Sequence, residues 1–127
     1  MGRDKRSVSE IIDADTSELS GLGYTAEQIA ERMQEITGMA ISGLGTWIEI
    51  NKQLKAKVDE AKGSQPCPWP HPGRFAKRVT TVKKIESGRT VRWSDLNIHL
   101  IGEHGFFEGR GANFRIEPDE LINIILL

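Results

Sequence analysis

The chain has 127 residues, 38% of them hydrophobic, enough for one modest core or two very small ones. Its 17 Lys and Arg against 18 Asp and Glu leave a formal charge of -1, so no global basic excess draws it to nucleic acid and any such affinity must be local. A single cysteine, Cys67, excludes an internal disulfide and fits a reducing compartment such as the cytoplasm, and no apolar run approaches the ~18 residues of a membrane span.

The opening Met-Gly-Arg-Asp-Lys-Arg has no apolar signal core, so the chain is expected to be neither exported nor membrane-bound. Ser7-Val8-Ser9-Glu10 has the form of a capping box, in which a hydroxyl accepts from the backbone three residues on while the carboxylate reaches back. It predicts a first helix with Ile11, Ile12 and Leu19 as a sparse apolar stripe. Thr25-Ala26-Glu27-Gln28 repeats the box, and Ile29, Met33 and Ile36 follow at i, i+4 and i+7, with Ala26 and Ala30 small enough for close helix approach. Thr46-Trp47-Ile48-Glu49 is a third box, and Trp47, Ile48, Ile50, Leu54 and Val58 extend it to a third and longest helix ending near Gly63.

Residues 64–73, Ser-Gln-Pro-Cys-Pro-Trp-Pro-His-Pro-Gly, hold four prolines in alternation and predict an extended connector. Beyond it, Val79 to Ile85, the turn pair Ser87-Gly88 and Thr90 to Trp93 predict a β-hairpin. Asn97 to Ile101 alternates as a strand, Gly109-Arg110-Gly111 marks a turn, and the apolar end from Leu121 to Leu127 is a buried strand or a short helix after Pro118. The expected fold is α+β: a three-helix module over 1–63, the linker 64–73, and a small antiparallel β-sheet or barrel over 74–127.

Over about residues 19–50, Gly23-Tyr24-Thr25, Ile29-Ala30, Met33, Ile41-Ser42 and Thr46-Trp47-Ile48 resemble the helix-turn-helix regulators of bacteria, plasmids and phages. The resemblance implies that Thr25 caps a bracing helix, that Ala30 sits at the helix crossing, and that Ser42, Thr46, Asn51, Lys52 and Lys55 reach base edges or phosphates of duplex DNA. Two departures weigh against it: Gly43 and Gly45 would each cost roughly 0.5–1 kcal/mol inside a helix, and residues 1–63 carry eight basic against eleven acidic side chains. An ordinary three-helix cluster explains the same signals. Leu22-Gly23-Tyr24, Thr37-Gly38 and Trp47-Ile48 also resemble the ubiquitin-associated domain, which implies a protein-binding module acting as an inhibitor or adaptor.

The positive charge lies beyond the connector, where Arg74, Lys77, Arg78, Lys83, Lys84, Arg89 and Arg92 face only Glu86. Such a hairpin suits phosphate contacts, or merely blunts a sheet edge. The apolar tail is either a core element or the seam of a homodimer built on the C-terminal module. His71, His99 and His104 are scattered, Cys67 stands near only one of them, and no activated nucleophile or convergent acid–base set is visible, so the sequence predicts no enzyme, cofactor or metal site. The leading expectation is a small DNA-binding regulator, with a non-enzymatic protein-interaction module as the alternative.

Overall fold

The computed structural model describes residues 6–66, 74–108 and 115–126. Two helices open the chain, α1 (Val8–Leu22) and α2 (Ala26–Ala40), and both capping boxes are formed as expected. The Glu10 backbone N–H donates to Ser7 Oγ at 3.2 Å, and that of Gln28 donates to Thr25 Oγ1 at 3.2 Å. Gly23, at φ 84°, ends α1 in the left-handed region and lets the chain reverse into α2. The stripe Ile29, Met33, Ile36 is fully buried.

The expected third helix is not there. After α2 the chain makes one 3-10 turn, Ile41–Gly43, and then enters strands β1 (Ile48–Glu49) and β2 (Leu54–Pro66). Three local causes act together. Leu44 (φ 50°) and Gly45 (φ 92°) both lie in the left-handed region, which stops a right-handed helix. Thr46 spends its hydroxyl on the Gly43 carbonyl at 2.6 Å instead of capping a helix. Asn51 Oδ1 then accepts from the backbone of Gln53 and Leu54, at 2.8 and 2.9 Å, an Asx turn that reverses β1 into β2. Beyond it, buried Leu54, Ala56 and Val58 alternate with partly exposed Lys55 and Lys57, the period of a strand.

Strand β3 (Arg74–Lys84) pairs with β2, and β4 (Thr90–Ser94) pairs with β3 across the turn at Ser87 and Gly88, so the predicted hairpin is formed. The four strands make one antiparallel sheet in the order β1-β2-β3-β4, with a register shift between Glu60 and Ser64. The connector's residues 67–73 lie outside the described residues; Pro66 and Arg74 on either side of them are cross-strand partners.

One further expected strand is a helix, and the tail takes the helical one of its two expected forms. Residues 97–101 belong to α3 (Asp95–His104), because Ser94 and Asn97 form a reciprocal cap: the Asn97 N–H donates to Ser94 Oγ at 3.1 Å and the Ser94 N–H to Asn97 Oδ1 at 2.9 Å. Gly105 at φ 63° closes it, with the N–H groups of Gly105 and Phe106 bonded to the carbonyls of Ile101 and Leu100. The apolar tail forms α4 (Pro118–Ile125), with proline at its first turn, where no N–H is missed. The expected turn at 109–111 lies outside the described residues.

One face of the sheet is covered by helices. Ile29, Met33 and Ile36 of α2, Leu54, Ala56 and Val58 of β2, Val82, Trp93, Ile98 and Ile101, and Leu121, Ile122, Ile124 and Ile125 of α4 form a single cluster. Residues from both sides of the proline stretch therefore share one core, and the tail is buried within the chain itself. Each such aliphatic side chain contributes about 1.5–3 kcal/mol by leaving water. A smaller cluster, Ile11, Leu100 and Phe106, joins α1 to α3. Ala30 does lie at a helix crossing, but with α3: a Cβ added at Gly102 would stand 3.0 Å from the Ala30 Cβ.

Candidate nucleic-acid interface

The opposite face of the sheet follows from strand parity. With Leu54, Ala56, Val58, Thr80, Val82 and Trp93 turned to the core, Lys55, Lys57, Thr81, Lys83 and Arg92 turn outward. Register sets them in rows. Glu49 opposes Lys55, which opposes Lys83, which opposes Thr90; Lys57 opposes Thr81, which opposes Arg92. Placing Lys55 directly across from Lys83 is unfavourable unless an anion lies between or above them.

Trp47 closes this face at the β1 edge, 40% exposed. The ammonium groups of Lys55 and Lys57 sit over its ring, 5.1 and 5.3 Å from the centroid. Each contact is a cation–π attraction that holds the indole in place while leaving part of it to solvent. Asp59 and Glu49 are the acidic residues at the margin of the face, and Lys77 is exposed further along β3.

The twelve residues expected to contact DNA are divided by the fold. Lys55, Lys83 and Arg92 come together on the outer face. Arg78 instead chelates Asp95 at the start of α3, with Nε and Nη2 donating at 3.0 and 2.7 Å. Its hydrogen bonding to Asp95 raises its pKa further, against the effect of burial. Lys84 donates to the Asn123 carbonyl at 3.1 Å, and Arg89 reaches Glu120 at 3.3 Å, so both tie the hairpin to α4. Ser42 donates to the Met39 carbonyl, Thr46 and Asn51 hold the turns before β1 and β2, and Lys52 is exposed at the tip of the Asx turn. Arg74 begins β3, and the arrangement of its side chain lies outside what is described.

Trp47 and Lys57 were not among the expected contacts, because a helix beginning at Thr46 disperses them around its circumference. The alternation of 54, 56 and 58 is the signal that puts 55 and 57 on one face.

Elsewhere on the surface, a cleft of about 590 Å³ between α2 and α3 is lined by Glu27, Glu31, Gln34, His99 and Glu103. Among the described residues no group of three His, Cys, Asp or Glu side chains is placed to hold a metal ion, and no helix is long and apolar enough to cross a membrane. Comparison with protein-family models, curated proteins and solved structures finds no match for the chain.

Proposed function

We propose that this chain is a non-enzymatic nucleic-acid-binding protein, of regulator or accessory type, that uses the outer face of its sheet. The observation that carries the reading is the cross-strand row of Lys55 and Lys83 beside Lys57 and Arg92, with a half-exposed tryptophan at the end. Lysines and an arginine at strand spacing suit a phosphate backbone, and an indole pinned at the edge of the patch suits stacking by an unpaired base. With strands where a recognition helix was expected, single-stranded DNA or RNA fits this face better than the major groove of a duplex.

The test is fluorescence anisotropy with labelled single strands and duplexes of mixed sequence at ~50 and ~200 mM salt. Binding that falls steeply with salt and is weakened by Lys55→Ala/Lys83→Ala supports the reading; no binding at the lower salt, or no effect of that double substitution, sinks it. Preference for duplex over single strand would move the contact from stacking to phosphates alone.

A protein-binding role has an observation of its own in Leu44. This side chain is 91% exposed on a left-handed backbone, and Met39, five residues earlier, is exposed as well. An apolar residue held outward at a conformational cost suits a protein partner.

A further inference from the structure

Beside Trp47 the basic face carries a carboxylate. Ile48 opposes the core-facing Ala56, so the exposed Glu49 turns outward with its cross-strand partner Lys55. A negative charge here repels phosphate and weakens a surface that otherwise gathers Lys55, Lys57, Lys83 and Arg92. Direct opposition brings Cβ atoms to about 4.5–5.5 Å, close enough for an ion pair. Lys55 does not close one: its ammonium lies over the Trp47 ring instead. Among the described residues the Glu49 carboxylate makes no ion pair or hydrogen bond.

Resting on the reading of this face as a single-strand binder, we propose that Glu49 selects guanine as the base stacked on Trp47. The two residues are two positions apart, about 6.6 Å along an extended chain. They share a face, because the indole meets the outward Lys55 and Lys57. A base lying on the indole with its Watson–Crick edge toward Glu49 therefore meets the carboxylate.

Unpaired bases are read on that edge. Guanine presents N1–H and an N2 amino hydrogen side by side, two donors that match the two oxygens of a carboxylate. Adenine and cytosine each set one donor beside a ring-nitrogen acceptor, and thymine or uracil sets one donor between two carbonyls, so each turns a lone pair on the carboxylate. The lysines complete the exchange. As the base covers the ring, the ammonium groups of Lys55 and Lys57 leave it for the phosphates of the same strand.

The experiment measures anisotropy of the full chain with labelled oligothymidines of about twelve nucleotides, each with one central guanine, inosine, adenine or cytosine. The guanine strand is expected to bind at least about 5-fold tighter than the adenine and cytosine strands, with inosine, which lacks the 2-amino group, in between. Glu49→Gln should move affinities in opposite directions: the guanine preference shrinks, while the adenine and cytosine strands bind more tightly because a negative charge has left the face. Asp59→Asn removes the other acid of this face, and the preference should survive it. Trp47→Ala should abolish the preference, since the base is no longer held beside the carboxylate. All three side chains are exposed, so the variants are expected to fold. A preference that persists in Glu49→Gln or in Trp47→Ala, or that is lost in Asp59→Asn, overturns the assignment. Binding of all four strands alike overturns it too and leaves the nucleic-acid reading standing; binding of none overturns both.

Discussion

Arg115 closes a two-pronged ion pair on Asp15, a residue one hundred positions earlier, with Nη1 and Nη2 donating to the two carboxylate oxygens at 2.6 and 2.9 Å. Both side chains are almost wholly buried, at 9% and 4% exposure. Burial works against the arginine's charge, but the hydrogen bonds and charges of Asp15 and Glu117 outweigh it and raise its pKa. The guanidinium also donates to the Glu108 carbonyl at 2.9 Å, so one side chain fastens α1 to the segments on either side of residues 109–114. Removing one partner strands the other's charge in a dry site, so Asp15→Asn or Arg115→Met is expected to cost about 3–5 kcal/mol. Urea denaturation checks this, and the double substitution Asp15→Asn/Arg115→Met should cost less than the two single losses added together.

Glu18 lies close to this pair and titrates the other way. Partial burial, followed by the negative charges of Asp119, Asp15 and Glu117, raises its pKa above the ordinary 4.5, and Arg115 opposes the rise. The fold thus favours protonated Glu18. Its contribution to stability is present below the ordinary carboxylate range and is lost as the pH climbs through the raised value. Glu18→Gln should flatten that part of the stability curve and leave the protein at least as stable at neutral pH. Urea midpoints between about pH 4 and about pH 7 give the comparison.

In the core, the Trp93 indole N–H donates to Thr37 Oγ1 at 2.9 Å, and Thr37 Oγ1 lies 2.7 Å from Thr80 Oγ1. This chain of hydrogen bonds joins α2, β3 and β4 where all three residues have no exposure. Thr37→Val leaves the indole donor without an acceptor and should cost about 1–3 kcal/mol. Thr80→Val keeps the indole bond and should cost less, about 0.5–1.5 kcal/mol, by the same denaturation measurement.

Gly102 and Ala30 set how closely α2 and α3 pack. Gly102→Ala forces the helices apart and is expected to cost about 1–3 kcal/mol, although alanine is the better helix former. Pairing it with Ala30→Gly should recover part of the loss in thermal melts, whereas an additive result would separate the two sites.

For nucleic acid, each phosphate contact removed from a single-strand complex lowers the slope of log affinity against log salt by about 0.7. Lys55→Ala/Lys83→Ala should therefore flatten the slope by one to two such steps. Trp47→Ala should cost about 1–3 kcal/mol of binding with little change of slope, since stacking releases no counterions. Anisotropy across a salt series separates the two effects.

Some of the fold was legible because local signals agreed. At Thr25 to Ile36, cap and helical stripe coincide, and at Ser87-Gly88 a turn pair separates two β-branched runs. The stretch 46–63 misled because Leu54 and Val58 stand four apart, which fits both one helical turn and two strand steps. Ala56 between them decides for the strand, and being small it carries little weight in a pattern. In residues 97–101, Ile98 and Leu100 alternate like a strand, yet they point to separate clusters from one helix. The Ser94–Asn97 cap, with asparagine where a capping box usually has Glu or Gln, was the overlooked sign. The basic run 74–92 was visible as charge, but only the register shows that Arg78, Lys84 and Arg89 face acidic or carbonyl partners while Lys83 and Arg92 join Lys55.

The contrast between Trp93, sealed in the core, and Trp47, half out on the sheet face, has a practical consequence. An indole in a dry hydrogen-bonded pocket emits at shorter wavelength than one at the surface. With Trp69 replaced by phenylalanine, the blue emission would follow cooperative unfolding while the red emission, quenched by a stacked base, would follow ligand uptake. A single spectrum would then report loss of the fold and occupancy of the sheet as separate signals, without an attached dye.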